Sequence, residues 1–272
     1  GGADYMTTHF SNGVTNVKGK DGGNSLFSGI KQPLITGGTT PAEFIYQDDF
    51  HTYNANNYEA VVGTGNSEFI ESSTYANGWL RMGDAASAAD EDVGVQGYDN
   101  FQYSSTKQWY FETSIADSDA TNHNWFVGFA QANYADASAL PTDCIGFSKL
   151  EDVTTITFNS RKDGAGVSFD MVETPGGSTF AMQNATYPTQ TATVQTIPTN
   201  AVRLGFLYQP AGIEPGVTAN QFKLYFNGNP VGTQAATTVP DDISLAPTMM
   251  LTFKGTENGE IDIDYFQAVQ QR

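Results

Sequence analysis

The stretch 109–130, WYFETSIADSDATNHNWFVGFA, constrains the fold of this chain more than any other. Trp109, Phe111, Thr113 and Ile115 alternate with Tyr110, Glu112 and Ser114, the period of a strand with one face buried. The polar run ADSDATNHN cannot continue that pattern. Beyond it, Trp125, Val127 and Phe129 take one face and Phe126, Gly128 and Ala130 the other. With both faces apolar or small, this second strand is predicted to run through the middle of a sheet. Two of the three tryptophans lie here, and rings of that size dominate the energetics of a core. The pattern predicts an all-β sandwich.

The rest of the chain agrees. No window carries a sustained 3.6-residue apolar period, so little helix is expected. The 28 glycines and 11 prolines, spread along 272 residues, supply the turns that many short strands require. SEFIESS and NGWLRMGD read as a hairpin turning near Ala76-Asn77-Gly78. Asp143 to Leu150 and Thr154 to Ser160 read as paired strands, followed by VSFDMV. Residues 173–200 read as a long connection. AVRLGFLYQ is a strand, and QFKLYFNGNPVGT is a strand, an Asn-Gly turn and its return. PTMMLTFKG and GEIDIDYFQAV are two further strands. Residues 1–43 differ: their hydrophobes are scattered among glycines, so they are expected to form an extended arm, with the sandwich occupying 44–272. Phe10, Val14, Val17, Leu26, Phe27, Ile30, Leu34 and Ile35 are the arm's candidate contacts with a partner.

Composition excludes several functions. A net charge of −18 argues against direct nucleic-acid binding, which needs a basic surface. No apolar run reaches the roughly 18 residues of a membrane span, and no leader-like segment is read at the start. The single cysteine, Cys144, lies in the apolar run CIGF and reads as a buried small hydrophobe. His9, His51 and His123 lack zinc-ligand spacing. Neither a hydrolase elbow nor a phosphate-binding loop is present.

The strands AVRLGFLYQ, KLYFNGNPVGT, MMLTFKG and IDIDYFQAV, with WYFETSI and WFVGFA as a central sheet and the opening DDF at 48–50, resemble a concanavalin A-like jelly roll of the laminin G or legume-lectin type. The resemblance covers about Phe44 to Val269 and implies a fold, not a reaction. In the arm, MTTHFSNGVTNV resembles the opening of structural proteins of tailed-bacteriophage virions. That likeness implies a virion role.

Candidate sites follow from both readings. The concanavalin A-like superfamily includes glycoside hydrolases with a Glu-x-Asp-x-Glu motif on a mid-chain strand. Glu260, Asp262 and Asp264 imitate it, since alternation puts all three on one face. Asp264, however, is one methylene short, and retaining chemistry needs carboxyls roughly 5 Å apart. Calcium is a possible ligand of the loop acids Asp48, Asp49, Asp84, Asp90, Glu91, Asp92, Asp117 and Asp119, and no other cofactor is expected. Tyr53, Tyr58, Tyr75, Tyr98, Tyr103 and Tyr134 lie in or near polar loops, where they would contact a glycan or another subunit. Asn184-Ala185-Thr186 is a formal glycosylation acceptor.

These readings give an expected function: a non-enzymatic bacteriophage structural protein, a capsid decoration protein on the virion exterior. Its expected partners are the major capsid protein or other virion subunits and sister copies in a homo-oligomer such as a trimer, with no nucleic acid and no membrane. The alternative is a lectin-like glycan-binding module, and after it a glycoside hydrolase.

Overall fold

A computed structural model describes residues 9–11, 14–16, 43–50, 53–62, 68–72, 78–84, 91–98, 101–171, 179–185, 198–253 and 259–271. Among them are seventeen strands and one 3-10 turn, Ala55–Asn57. The strands are β1 (His9–Ser11), β2 (Val14–Asn16), β3 (Glu43–Asp48), β4 (Glu59–Val62), β5 (Glu68–Ser72), β6 (Leu80–Asp84), β7 (Asp92–Gln96), β8 (Trp109–Asp117) and β9 (His123–Ala130). They continue as β10 (Cys144–Lys149), β11 (Thr157–Lys162), β12 (Ala165–Asp170), β13 (Val202–Gln209), β14 (Gln221–Phe226), β15 (Asn229–Ala235), β16 (Ala246–Phe253) and β17 (Gly259–Gln271).

Two antiparallel sheets form the sandwich. One runs β12-β11-β10-β9-β16-β7-β4, the other β15-β14-β13-β8-β17-β6-β5, with β3 also paired to β17. Strand β17 changes partner along its length. Gly259–Ile263 pair with β6, Phe266–Gln271 pair with β3, and a bulge at 264–265 separates the two halves while β8 runs along the other edge. Strands β8 and β9 therefore lie in different sheets. The expectation that both belong to one central sheet is corrected: the turn between them crosses the sandwich. A separate antiparallel pair, β1 with β2, falls in the stretch read as an extended arm.

Alternation decides what lies inside. Trp109, Phe111, Phe206, Phe222 and Phe266 from one sheet meet Phe129, Phe147 and Phe158 from the other, all buried. Trp109 stacks on Phe101 (5.7 Å, 6°) and tilts against Phe129 (4.6 Å). Such aromatic contacts add about 0.5–1.5 kcal/mol each beyond the area they bury. The hairpin β14–β15 turns at Asn227 (φ 49) and Gly228 (φ 79), the left-handed pair that the Asn-Gly signature predicts.

Strand β9 is covered on its second face as well. Tyr134 and Ala137, from the loop after β9, pack on Phe126, Cys144 and Met250. Gln96 ties this loop down, donating to Gln131 O (2.9 Å) and accepting from Asn133 N (2.8 Å). Cys144 is thus the buried hydrophobe expected of it, and burial raises its thiol pKa.

Candidate functional site

The carboxylates of β17 do not form the predicted row. Glu260 and Asp262 share the face away from the core, and both engage Arg81 Nε at 3.2 Å. Asp262 is fully buried. Asp264 is the extra residue of the bulge, and Tyr265 takes the outward position it was expected to fill. A bulge re-aims one side chain out of the alternation. Burial, and then the charge of Asp49, push the Asp264 carboxyl up to about 6.

On the same outer face the sequence hid a buried network. Glu112 is 1% exposed. Its two oxygens accept from Tyr110 Oη (2.7 Å) and Tyr265 Oη (2.6 Å), and Arg203 Nε stands 3.9 Å away. Burial raises the Glu112 carboxyl pKa; the two phenols and the arginine oppose that rise.

The loop tyrosines separate by burial. Tyr58 and Tyr134 are buried and offer no contact surface. Tyr58 donates to Asp48 Oδ2 (2.7 Å) and accepts from Tyr46 (2.8 Å), and Tyr53 stacks on its ring. Tyr134 donates to Ala139 O. Tyr103 donates to Tyr208. Tyr98 is exposed, donating to Asn56 O. Tyr75 lies outside the described residues, as do Val17, Leu26, Phe27, Ile30, Leu34 and Ile35. Phe10 and Val14 fall in β1 and β2.

Among the described residues, no group of three His, Cys, Asp or Glu is arranged to hold a metal ion. Asp48 is taken up by Tyr58 and Phe50 N, and Asp92 accepts from Thr252. Asp117 Oδ1 contacts His123 Nδ1 (2.7 Å), and Asp119 accepts from Thr121 N, Asn122 N and Asn122 Nδ2. Asp90 lies outside the described residues. In the glycosylation triplet, Asn184 Oδ1 accepts from Ala120 N (3.0 Å).

One open cavity of about 390 Å³ combines aromatic and amide chemistry. The segment 179–183 forms one wall. It is fixed by Phe180 N to Met171 O (2.8 Å), Ile156 N to Phe180 O (3.1 Å) and Met182 N to Thr154 O (2.7 Å). Phe180 stacks on Phe226 at 3.9 Å and 14°. Asn200, Asn227, Gln183 and Thr179 complete the lining. Asn200 and Asn227 both have positive φ, a conformation that asparagine tolerates at turns. Asn227 Oδ1 accepts from Arg203 N (2.8 Å) and Asn200 Nδ2 donates to Asn184 O (2.9 Å). Each amide is thereby oriented with its other polar atom uncommitted among the described residues. No charged side chain is among the described residues lining this groove. Its volume falls within the range of small-molecule sites. It was missed in the sequence because its residues come from three separated segments, and Phe180 sits in the stretch read as a connection.

No family model and no curated protein matches the sequence. Solved structures match its fold. An endo-1,3-beta-glucanase from Streptomyces sioyaensis superposes with a TM-score of 0.53 at 12% identity, covering 87% of this chain and 99% of that one. The beta-glucanase of Bacillus licheniformis gives 0.51 at 14%, covering 86% and 98%. The catalytic domain of an endo-1,3-beta-glucanase (laminarinase) from Thermotoga petrophila gives 0.50 at 11%, covering 86% and 100%. The chain has the concanavalin A-like jelly-roll fold. These likenesses correct the expectation of a non-enzymatic protein, because the solved structures sharing the fold are mostly glycoside hydrolases. The expected virion role draws no support from them.

Proposed function

We propose that the protein recognises a neutral glycan of the β-glucan class in the groove between segment 179–183 and the β13–β14 ends. The observation that carries this reading is the stacked Phe180–Phe226 pair rimmed by the amides of Gln183, Asn200 and Asn227. A sugar ring presents an apolar C–H face and a rim of hydroxyls. An aromatic wall takes the first by burial, and amides, which both donate and accept, take the second. The lack of charge among the described lining residues favours a neutral over an anionic saccharide. Shared architecture with glucanases supports the substrate class.

The test is calorimetric titration with β-1,3-glucan oligosaccharides. Saturable binding is expected, weakened at least about tenfold by Phe180→Ala or Gln183→Ala, a loss of about 1.4 kcal/mol. No heat from β-1,3-, mixed-linkage or β-1,4-glucan oligosaccharides would overturn the reading.

A second reading, hydrolysis of the same glycans, is favoured by Asp264. It is half-buried, set in a bulge, and its carboxyl is raised toward neutrality by burial beside Asp49. Such a carboxyl suits a general acid. Release of reducing ends that Asp264→Asn abolishes and Gln183→Ala only weakens would establish it. Turnover unaffected by Asp264→Asn would remove it.

A further inference from the structure

The hairpin that borders the groove carries chemistry of its own. The turn between β14 and β15 is Asn227-Gly228, and Asn227 is exposed and lines the groove. Arg203, on the neighbouring strand β13, holds this turn at three points. Its carbonyl accepts from Asn227 N (2.7 Å), and its N–H donates to Asn227 Oδ1 (2.8 Å). Its guanidinium lies against Gly228, where an added Cβ would fall 1.9 Å from Nη2. Gly228 itself has φ 79 and no side chain to shield its amide nitrogen.

An asparagine side chain is an amide, and the backbone nitrogen of the next residue can attack its Cγ. That attack places negative charge on Oδ1, the atom that already accepts the Arg203 N–H, as it would from a donor in an oxyanion hole. It also requires the Gly228 nitrogen to give up its proton, which an adjacent positive charge favours. One residue, Arg203, thus supplies both forms of assistance in the folded chain.

We propose that Asn227 is a self-modification site whose conversion to a carboxylate weakens the groove's hold on a neutral glycan. The conversion stands on the turn alone; its consequence rests on the reading of the groove given above. The Gly228 nitrogen bonds to Cγ as it loses its proton, the Cγ–Nδ2 bond breaks, and ammonia leaves with that proton. Water then opens the cyclic imide at either carbonyl, giving aspartate or isoaspartate. Before conversion, Oδ1 is committed to Arg203 and Nδ2 is the donor left for a ligand. Afterwards, position 227 offers a carboxylate that only accepts. It stands beside a guanidinium, in a lining that had no charged side chain among its described residues. The isoaspartate form also lengthens the backbone of the turn and displaces the rim.

Ageing the full chain at mildly alkaline pH, with peptide mapping by mass and titration with β-1,3-glucan oligosaccharides, tests this. Asn227 is expected to convert in the folded protein. Arg203→Met keeps the backbone contacts and removes the guanidinium, and should slow the conversion several-fold. Asn227→Asp reproduces the product without ageing, with Oδ1 still accepting from Arg203 N; its affinity for the glucan should fall at least about tenfold. An Asn227 that stays intact in the native chain but converts in urea would overturn the proposal, as would equal rates with and without the guanidinium. If Arg203→Met does not fold, the comparison of native and unfolded wild type still decides. An Asn227→Asp protein that binds glucan as the parent does would overturn the consequence for the groove. A wild type that binds no glucan would remove the glycan reading instead, while the mass map still decides the conversion.

Discussion

Strand β8 buries two carboxyl groups five residues apart, and the protein accommodates them by opposite means. Glu112 faces away from the core at mid-strand, among phenol hydroxyls, and its burial favours the protonated form. Asp117, at the strand's end on the inward face, is met by a backbone N–H and a histidine. The first site surrounds its acid with phenol hydroxyls, while burial still raises the carboxyl pKa. The second surrounds its acid with a backbone N–H and an imidazole. A sheet centre offers only side-chain donors, since its backbone is already paired; a turn offers free N–H and C=O groups, and can surround ions.

The difference can be broken at several points. Removing the acid at the turn should cost most. Asp117→Ala removes the carboxylate that Asp119 N and His123 Nδ1 engage and whose charge counters the burial of Lys149, and a loss of about 3–5 kcal/mol in denaturant unfolding is expected. Truncating one donor at the sheet centre should cost less. Tyr265→Phe strips one hydrogen bond from Glu112, and about 1–2 kcal/mol is expected at neutral pH, where that oxygen is left buried and unmatched. Glu112→Gln should cost under about 1 kcal/mol, because an amide can both accept from one tyrosine and donate to the other. An Asp117→Ala protein as stable as Glu112→Gln would erase the distinction.

The two regions also differ in the sign of their pH dependence. A carboxyl raised on folding binds its proton more tightly in the native state. Its stability contribution is full below the unfolded pKa and is lost as pH rises through the folded value. Glu112 and Asp264 are of this kind, and for Asp264 the window runs from 3.8 to about 6. Asp119, in the turn, is opposite. Burial acts to raise it, but hydrogen bonds from Asn122 and the backbone N–H groups of Thr121 and Asn122, with the charge of His123, bring it below its ordinary value. Its contribution is present above the unfolded pKa and fades as pH falls. Asp264→Asn should therefore flatten the decline in stability across that window, the smallest of the effects because the group is only partly buried. A melting-temperature profile between pH 3 and 7 measures it; an unchanged slope would mean that Asp264 titrates alike in the folded and unfolded chain.

What was legible in the sequence follows the same division. Alternation assigned faces correctly along β8 and β9, and the Asn-Gly pair placed the β14–β15 turn, although a bulge shifts the register beyond Tyr225. Lys149 stands in line with Ile145 and Phe147, which was the available sign of a buried ammonium. Periodicity cannot say which sheet a strand joins, and the turn between β8 and β9 looks no different from a hairpin although it crosses the sandwich. Nor can it foresee a bulge. Glu260, Asp262 and Asp264 were aligned on paper, and one extra residue in β17 broke the row and brought Tyr265 to Glu112. Glu112 reads as a solvated outward charge until its tyrosines, one of them on another strand, are placed. The groove was illegible for a related reason, since Phe180 and Phe226 lie far apart in sequence and meet only through the sheet.

The position of β16 and β17 has a consequence for how the molecule is made. Each sits mid-sheet: β16 joins β9 to β7, and β17 joins β8 to β6 and β3. Until residues 246–271 have been synthesised, both sheets exist only as unconnected halves with open inner edges. Early strands must then wait for partners more than a hundred residues away, such as Leu80 for Ile263. Folding is thus expected to be slow, set by long-range closure rather than by local hairpins. In the interval, the exposed edges of β8 and β9 are the segments most open to pairing with other nascent chains.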